Sequence, residues 1–341
     1  MTVRVGFLGA GLIATFHSKM LRRSGADVAW SGVFDPDPER CRAFATASGA
    51  TPCSSEEEVL DRCDAVYVCT WTSEHRRLVE AAVARNLAVF CEKPLSTDLA
   101  GATAMADLVR GAGVVNMVGL IMRRAPACNL IRDLVADSAS GRVMSVVFRD
   151  DQYIPVQGMY ASTWRGDRKL AGSGTLLEHA IHDLDILEYM TGRVASVSAR
   201  SANFHGLDGI EDTMAATVSF ADGGVGSLVS VWHDILERPS LRRMEVFCER
   251  AWAVLEEPDD WWGPVRWTRL GGETGLVAGD DLVTECERRG ITMPNADGDF
   301  IAAVVAGEPV SPDFDDALRA HVLADAVYRS AAAGGDSVPT V

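Results

Sequence analysis

Along the first third of the 341-residue chain, short apolar runs alternate with stretches of helical period. Residues 3–8, 28–34, 65–69, 88–91 and 114–120 are compact runs dominated by Val, Ala and Phe, as expected of strands buried on both faces. Between them, residues 12–23, 73–86 and 98–110 read as helices, the second with Leu78, Val79, Ala82 and Val83 on one stripe. Ser54-Ser55-Glu56-Glu57 is a capping box opening a further short helix, and Asp35-Pro36-Asp37-Pro38 ends the second strand. Strands alternating with helices predict right-handed βαβ units and a doubly wound parallel α/β sheet over residues 1–121.

The rhythm changes after residue 121. Residues 143–154, 194–204, 214–220, 225–232 and 244–249 read as longer strands, two of them joined by the turn Ala221-Asp222-Gly223-Gly224. Met214, Ala216, Val218 and Phe220 alternate with Ala215, Thr217 and Ser219, the pattern of a sheet with one apolar face. Residues 122–341 are therefore expected to form an α+β domain with an open, largely antiparallel sheet. Residues 256–290 read as an irregular excursion, residues 312–333 as a closing helix, and Gly334-Gly335 as the start of a mobile tail.

Charge excludes whole classes of partner. The net charge of −16 repels phosphate backbones and anionic lipid, so neither nucleic acid nor a membrane surface is an expected partner. The eight cysteines lack C-x-x-C or zinc-type spacing and sit partly within strand-like runs, which predicts reduced thiols. With no basic segment followed by a long apolar run at the N-terminus, the chain is expected to be cytoplasmic.

Three motifs carry candidate chemistry. Gly9-Ala10-Gly11-Leu12-Ile13-Ala14 follows the first strand and opens the first helix. There Gly9 allows a tight turn, Gly11 lets backbone approach a pyrophosphate, and the helix N-terminus at Leu12 and Ile13 faces the anion. Asp35 ends the second strand about 20 residues further on, where a carboxylate accepts from a ribose 2′-hydroxyl and repels a 2′-phosphate. NAD is thus expected ahead of NADP; a glycine turn with a turn Asp is the plain alternative. Cys91-Glu92-Lys93-Pro94 ends another strand, and ligands of open α/β sheets bind outside the strands' carboxyl ends, so Glu92 and Lys93 are placed beside the nicotinamide. The Lys93 ammonium suits donation to a substrate hydroxyl or carbonyl, while a surface Glu–Lys pair worth about 0–1 kcal/mol explains the same residues without function. In the stretch from Gly172 to Asp185, Glu178, His182 and Asp185 recur at i, i+4 and i+7, which predicts one face of a helix opposite Leu177, Ile181, Leu184 and Leu187. A carboxylate beside His182 favours its protonated form and suits a general base; a metal site built on Glu178, His179 and His182, or an acidic helix start, are the competing readings. At ~100° per residue His179 points away from the other two, so no metal is expected.

Taken in order and spacing, Gly9-x-Gly11-x-x-Ala14, Asp35, Thr70 to His75, Glu92-Lys93-Pro94, Met122-Arg123-Arg124 and the glycine-led helix from Gly172 resemble the glucose–fructose oxidoreductase / inositol dehydrogenase (Gfo/Idh/MocA) family over nearly the whole chain. The resemblance implies an N-terminal Rossmann domain and a C-terminal domain whose open sheet serves a homodimer or homotetramer. It implies NAD(P)-dependent oxidation of a sugar, inositol or related polyol at a carbinol carbon. By the same resemblance Lys93 and His182 are catalytic, and Glu178 stands where many members carry Asp. Thr70 and His75 are placed near the cofactor, and Arg123, Trp164, Arg165 and Asp185 toward the substrate. His233, at the end of a predicted strand, is a further substrate candidate. Two other functions share this pattern: NAD-dependent glycoside cleavage in which the hydride returns, and a non-enzymatic dinucleotide-responsive regulator, against which the retention of both Lys93 and His182 argues.

Overall fold

The computed structural model describes residues 1–259, 261–292 and 295–340, without the side chain of Pro258. The chain begins β1 (Val3–Leu8), α1 (Leu12–Ser24), β2 (Val28–Phe34), α2 (Pro38–Ser48), α3 (Glu56–Leu60), β3 (Ala65–Val68), α4 (Thr72–Val83), β4 (Ala88–Cys91), α5 (Leu99–Ala112) and β5 (Asn116–Val118). It continues α6 (Pro126–Ala136), β6 (Val143–Tyr153), α7 (Arg168–Ala171), α8 (Ile181–Thr191), β7 (Val194–Ala202), β8 (Thr213–Phe220), β9 (Val225–His233), β10 (Leu241–Cys248), β11 (Ala251–Asp259), β12 (Gly263–Arg269) and β13 (Thr274–Val277). The last elements are α9 (Gly279–Arg288), α10 (Ala296–Ala306), α11 (Phe314–Ala332) and β14 (Val338–Pro339). Two compact units form: Met1–Leu120 with Pro294–Leu318, and Ile121–Met293 with Arg319–Val341.

The first unit is the expected parallel sheet, in the order β2-β1-β3-β4-β5. Its central strands β3 and β4 are buried at every position, as a sheet covered on both faces requires. One face carries Leu8, Val66, Val68, Val89 and Cys91 against α4 and α5. The other face is aromatic. Phe7, Tyr67 and Phe90 are register partners on β1, β3 and β4, and their rings stack at 4.7 Å along the ladder. Phe300 of α10 meets both Tyr67 and Phe90 edge-on at 5.6 Å, an arrangement worth about 0.5–1.5 kcal/mol per pair beyond burial. This ladder explains why α10 returns to the first sheet, a return absent from a reading in two consecutive segments.

The second unit is built on a nine-stranded sheet, β13-β12-β11-β10-β6-β9-β8-β7-β14, in which β6 and β9 pair in parallel and the other pairs are antiparallel. From Met214 onward strand β8 alternates between buried and exposed positions, as read from the sequence. Its buried face packs with residues of α6, α8 and α11, among them Leu130, Leu184 and Leu323.

Two expectations are corrected here. The stretch 256–290 is ordered into the end of β11, β12, β13 and α9, with Asp260 outside the described residues. These strands are too short and too rich in Gly, Trp and charge to show a period; their order comes from pairing and from Trp267, whose ring occupies the space a Cβ on Gly275 would take, 2.0 Å away. Beyond Gly334-Gly335 the chain is tied down, since β14 pairs with β7, Gly335 N–H donates to Ser330 O at 2.8 Å and the Thr340 hydroxyl donates to Val194 O. All eight cysteines are buried thiols. Among the described residues no helix is long and apolar enough to cross a membrane.

If α10 is an integral part of the first core, Phe300→Ala should lower unfolding stability by about 3–5 kcal/mol, measured by denaturant titration. A loss below about 1 kcal/mol would show that the aromatic ladder does not need its edge-on partner.

Candidate active site

At the carboxyl end of β1 the chain turns through Gly9, where φ is +90° and a Cβ would lie only 2.4 Å from Cys69 O, so no side chain is admitted. Gly11 is the opposite case: a Cβ there would meet nothing within 4 Å. Helix α1 begins immediately after it with no side-chain cap and no acidic residue in its first turn, and Leu12 is 62% exposed. The N–H groups of Leu12 and Ile13 therefore meet no side-chain cap and lie beside open space, which suits an anion, and the residues present fit a dinucleotide pyrophosphate. Asp35 stands where its spacing placed it, at the end of β2. One oxygen accepts from Ala10 N–H (2.8 Å) and the other from Asp37 N–H (2.9 Å), which orients the carboxylate and leaves further lone pairs for a ribose hydroxyl.

The ends of β3 and β4 are tied together beneath this cradle. His75 is completely buried; Nδ1 donates to Pro94 O at 2.9 Å and Nε2 lies 3.3 Å from Thr70 O. Burial pushes its pKa down despite those carbonyls, so the ring is a neutral strut between the 70 and 94 loops. Glu92 is buried as well. Oε1 accepts from His17 Nε2 at 2.8 Å, and Oε2 accepts the peptide N–H of Lys93 at 3.0 Å. His17 Nδ1 in turn donates to Asp297 Oδ1 at 2.9 Å. Burial alone would lower the imidazole, but the hydrogen bonds and charges of Asp297 and Glu92 prevail and raise it to about 9. Lys93, half-buried, follows at the end of this loop.

In the second unit the expected single helix carrying Glu178, His182 and Asp185 does not form. Thr175–His179 is a π-helical turn, and α8 starts only after Ala180, so an α-helical spacing cannot be drawn through Glu178. The turn is built by a residue remote in sequence. Glu211 accepts from Gly174 N–H (2.8 Å), Leu176 N–H (3.0 Å) and the Tyr328 hydroxyl (2.9 Å), and a Cβ on Gly174 would lie 1.8 Å from Glu211 O. Burial nevertheless pushes the Glu211 carboxyl up.

The turn delivers Glu178 to Arg165, whose Nε donates to Glu178 Oε1 at 2.6 Å. The Arg165 guanidinium also lies over the rings of Trp164 (5.0 Å) and Tyr160 (5.8 Å), so half-buried Trp164 and Arg165 and buried Glu178 form one cluster with Tyr160, which sequence reading missed. His182 is buried on the first turn of α8, and Asp185 one turn later. Arg123 grips Asp185 through Nε (2.8 Å) and Nη2 (2.5 Å), so these two substrate candidates are brought together as a bidentate ion pair. His233 ends β9 as expected; its Nδ1 accepts from Ile235 N–H at 3.1 Å and its Nε2 lies 3.5 Å from Asp151. His179 is turned to Asp150 (2.9 Å), beside Arg242 and Asp183, and among the described residues no group of three or more His, Cys, Asp or Glu is arranged to hold a metal ion.

A parallel sheet with an open glycine cradle after β1, an acid after β2 and a lysine after β4 defines an NAD-binding oxidoreductase. Residues 3–120 match the description "Oxidoreductase family, NAD-binding Rossmann fold", and residues 129–254 match "GFO/IDH/MocA C-terminal domain". The chain belongs to the Gfo/Idh/MocA family. It is 29% identical over 304 residues to 1,5-anhydro-D-fructose reductase of Ensifer adhaerens, covering 87% of this chain and 81% of that protein. It is 27% identical to inositol 2-dehydrogenase of Rhizobium meliloti, covering 97% of this chain and 98% of that protein. In fold it is similar to levoglucosan dehydrogenase in complex with NADH, with a TM-score of 0.87 and 21% identity over 100% of both chains.

The raised His17 has a consequence for stability. Its folded pKa of about 9 exceeds the unfolded value near 6.5, so its contribution is complete below pH ~6.5 and is lost as pH rises through about 9. The groups facing it are Glu92, Asp297 and Tyr67. Denaturant titrations between pH 6 and about 9.5 should show the wild-type protein losing stability relative to His17→Gln across that window; parallel curves would refute the assignment.

Proposed function

We propose that the protein is an NAD-dependent dehydrogenase that oxidises a carbinol carbon of a sugar, inositol or related polyol. The observation that carries this reading is Lys93 at the carboxyl end of β4, on the sheet whose β1 end opens the glycine cradle, with both neighbouring residues of its loop held by buried histidines. The relatives named for inositol and 1,5-anhydro-D-fructose, and the structural neighbour named for levoglucosan, support a ring compound bearing several hydroxyls.

The chemistry NAD supplies when bound is acceptance of a hydride from the carbinol carbon. The chain's own residues handle the proton. The Lys93 ammonium donates to the substrate oxygen and stabilises negative charge developing there, while the His182 imidazole takes the hydroxyl proton. Gly9, Gly11, Leu12 and Ile13 form the phosphate cradle, and Asp35 accepts from the ribose and disfavours a 2′-phosphate. Thr70, His75 and Glu92 hold the floor of that cradle. Trp164 offers an apolar ring to a sugar face, and Arg165, oriented by Glu178, binds hydroxyls; Asp185 acts with Arg123, and His233 completes the set.

Incubation with NAD or NADP and a panel of inositols, aldoses, anhydro sugars and sugar acids, followed at 340 nm, tests the reading. Sustained NADH formation is expected on one polyol class, with Lys93→Ala and His182→Ala each lowering kcat by about 10²–10⁴-fold. Bound NAD with no net NADH on any member of the panel would overturn net dehydrogenation.

The open face of the nine-stranded sheet supports the expected self-association. Val147, Val225 and Phe247 lie on that face, 48%, 52% and 40% exposed; Val225 and Phe247 flank Ser145 from the two neighbouring strands, and Val147 is two residues along β6. We infer a homodimer or homotetramer that uses this face. Light scattering should give a mass of two or four chains, and Phe247→Glu with Val147→Glu should shift it toward one; a wild-type monomer at micromolar concentration would refute the assembly.

A further inference from the structure

His17 stands on the buried stripe of α1 with Ala14, Ser18 and Leu21, where periodicity calls for a hydrocarbon side chain. Its ring is fully enclosed, 4.7 Å from the Phe90 ring and 5.7 Å from the Tyr67 ring. Both of its nitrogens meet carboxylates, Glu92 Oε1 at 2.8 Å and Asp297 Oδ1 at 2.9 Å. A neutral imidazole has a single N–H and turns a lone pair on one of the two; the imidazolium satisfies both. Glu92 has no alternative seat on the far side, because Gly119 packs so closely that a Cβ would lie 2.2 Å from Oε1. The second Glu92 oxygen holds the Lys93 peptide N–H, and Pro94 O is held by His75.

We propose that His17 is a positioning residue for Lys93: clamped to Asp297, it fixes the Glu92 carboxylate, which fixes the Lys93 peptide and the direction in which the Lys93 side chain leaves β4. The inference deepens the reading of Lys93 as the donor to substrate oxygen and rests on it. It also gives α10 a task beyond packing, since Asp297 lies 280 residues from His17 and reaches the clamp only because the chain returns to the first sheet. The raised pKa keeps the clamp closed at neutral pH. Besides His17, the titratable groups that face the clamp carboxylates are Tyr67 and Cys69 toward Asp297, and Cys69, Cys91 and His75 toward Glu92.

The test compares full-length wild type, His17→Gln, Lys93→Ala and the double variant. Reductive methylation with formaldehyde and cyanoborohydride, quantified on peptides, reads Lys93 without turnover, with Lys19 and Lys169 as internal controls. His17→Gln should change the Lys93 labelling rate by about threefold or more and leave both controls unchanged. On whichever polyol turns over, His17→Gln should lower kcat about tenfold with KM little altered. Added to Lys93→Ala, it should cost less than about twofold further, because the two act through one group. Unchanged Lys93 labelling, or a loss that adds in full to Lys93→Ala, would overturn the proposal. Should His17→Gln not fold, ring ¹⁵N spectra of the wild type decide: both nitrogens protonated at pH ~8 is expected, and a neutral ring there overturns it. Full activity in Lys93→Ala would instead defeat the functional reading of Lys93, while labelling still reports on the clamp.

Discussion

A parallel sheet covered on both faces offers no water to a charge, and the contact of His17 with Glu92 and Asp297 is the constraint on which the first unit turns. Desolvation of each ion costs several kcal/mol unless partners meet it with good geometry. The two carboxylates are buried to 7% and 2% side-chain exposure, and the ring between them to 0%. None of the three groups is tolerable there alone. Three segments distant in sequence, α1, the end of β4 and α10, are thereby required to assemble together.

The second unit uses the same device with different chemistry. A half-buried carboxylate, Glu211, accepts three hydrogen bonds and holds the π-helical turn 175–179 in a form that α-helical hydrogen bonding alone would not select. That turn presents Glu178 to Arg165 and sets where α8, with His182 in its first turn, begins. In both units, then, a carboxylate holds backbone N–H groups beside a residue proposed to do chemistry: Glu92 holds that of Lys93, and Glu211 holds those of Gly174 and Leu176 ahead of Glu178. Backbone geometry is held there by charge.

This arrangement also explains what was legible in the sequence. The βαβ alternation, Gly9, Gly11 and Asp35 are local signals, because a strand, its following turn and its helix N-terminus are contiguous and each residue acts through its own backbone position. The parallel order and the one-sided antiparallel sheet follow from periods of 3.6 and 2 that burial imposes on each element separately. The return of α10 is not local: its apolar run from Phe300 onward fits any core, and only the rings of Tyr67 and Phe90 decide which one. The spacing of Glu178 and His182 was misleading for the same reason, since the turn between them is dictated by Glu211 and Tyr328. Strands β12 and β13 escaped notice because Gly275 and Trp267 are complementary across the ladder, which no single-strand pattern displays.

Charge matching ties these observations to the proposed substrate. The chain carries −16 overall, yet the guanidiniums among the substrate candidates and around them are each met by carboxylate: Arg165 by Glu178, Arg123 by Asp185, Arg242 by Asp183, and Arg238 by Asp151. Against the cost of burial, Arg238 and Arg149 hold the Asp151 carboxyl below its usual range. A matched guanidinium no longer acts as an anion hook; it acts as a fixed set of donors whose direction its carboxylate sets. Polyol stereochemistry is a matter of hydroxyl direction rather than charge, and a surface of paired, immobilised donors and acceptors discriminates it through the penalty for leaving any one of them unmet.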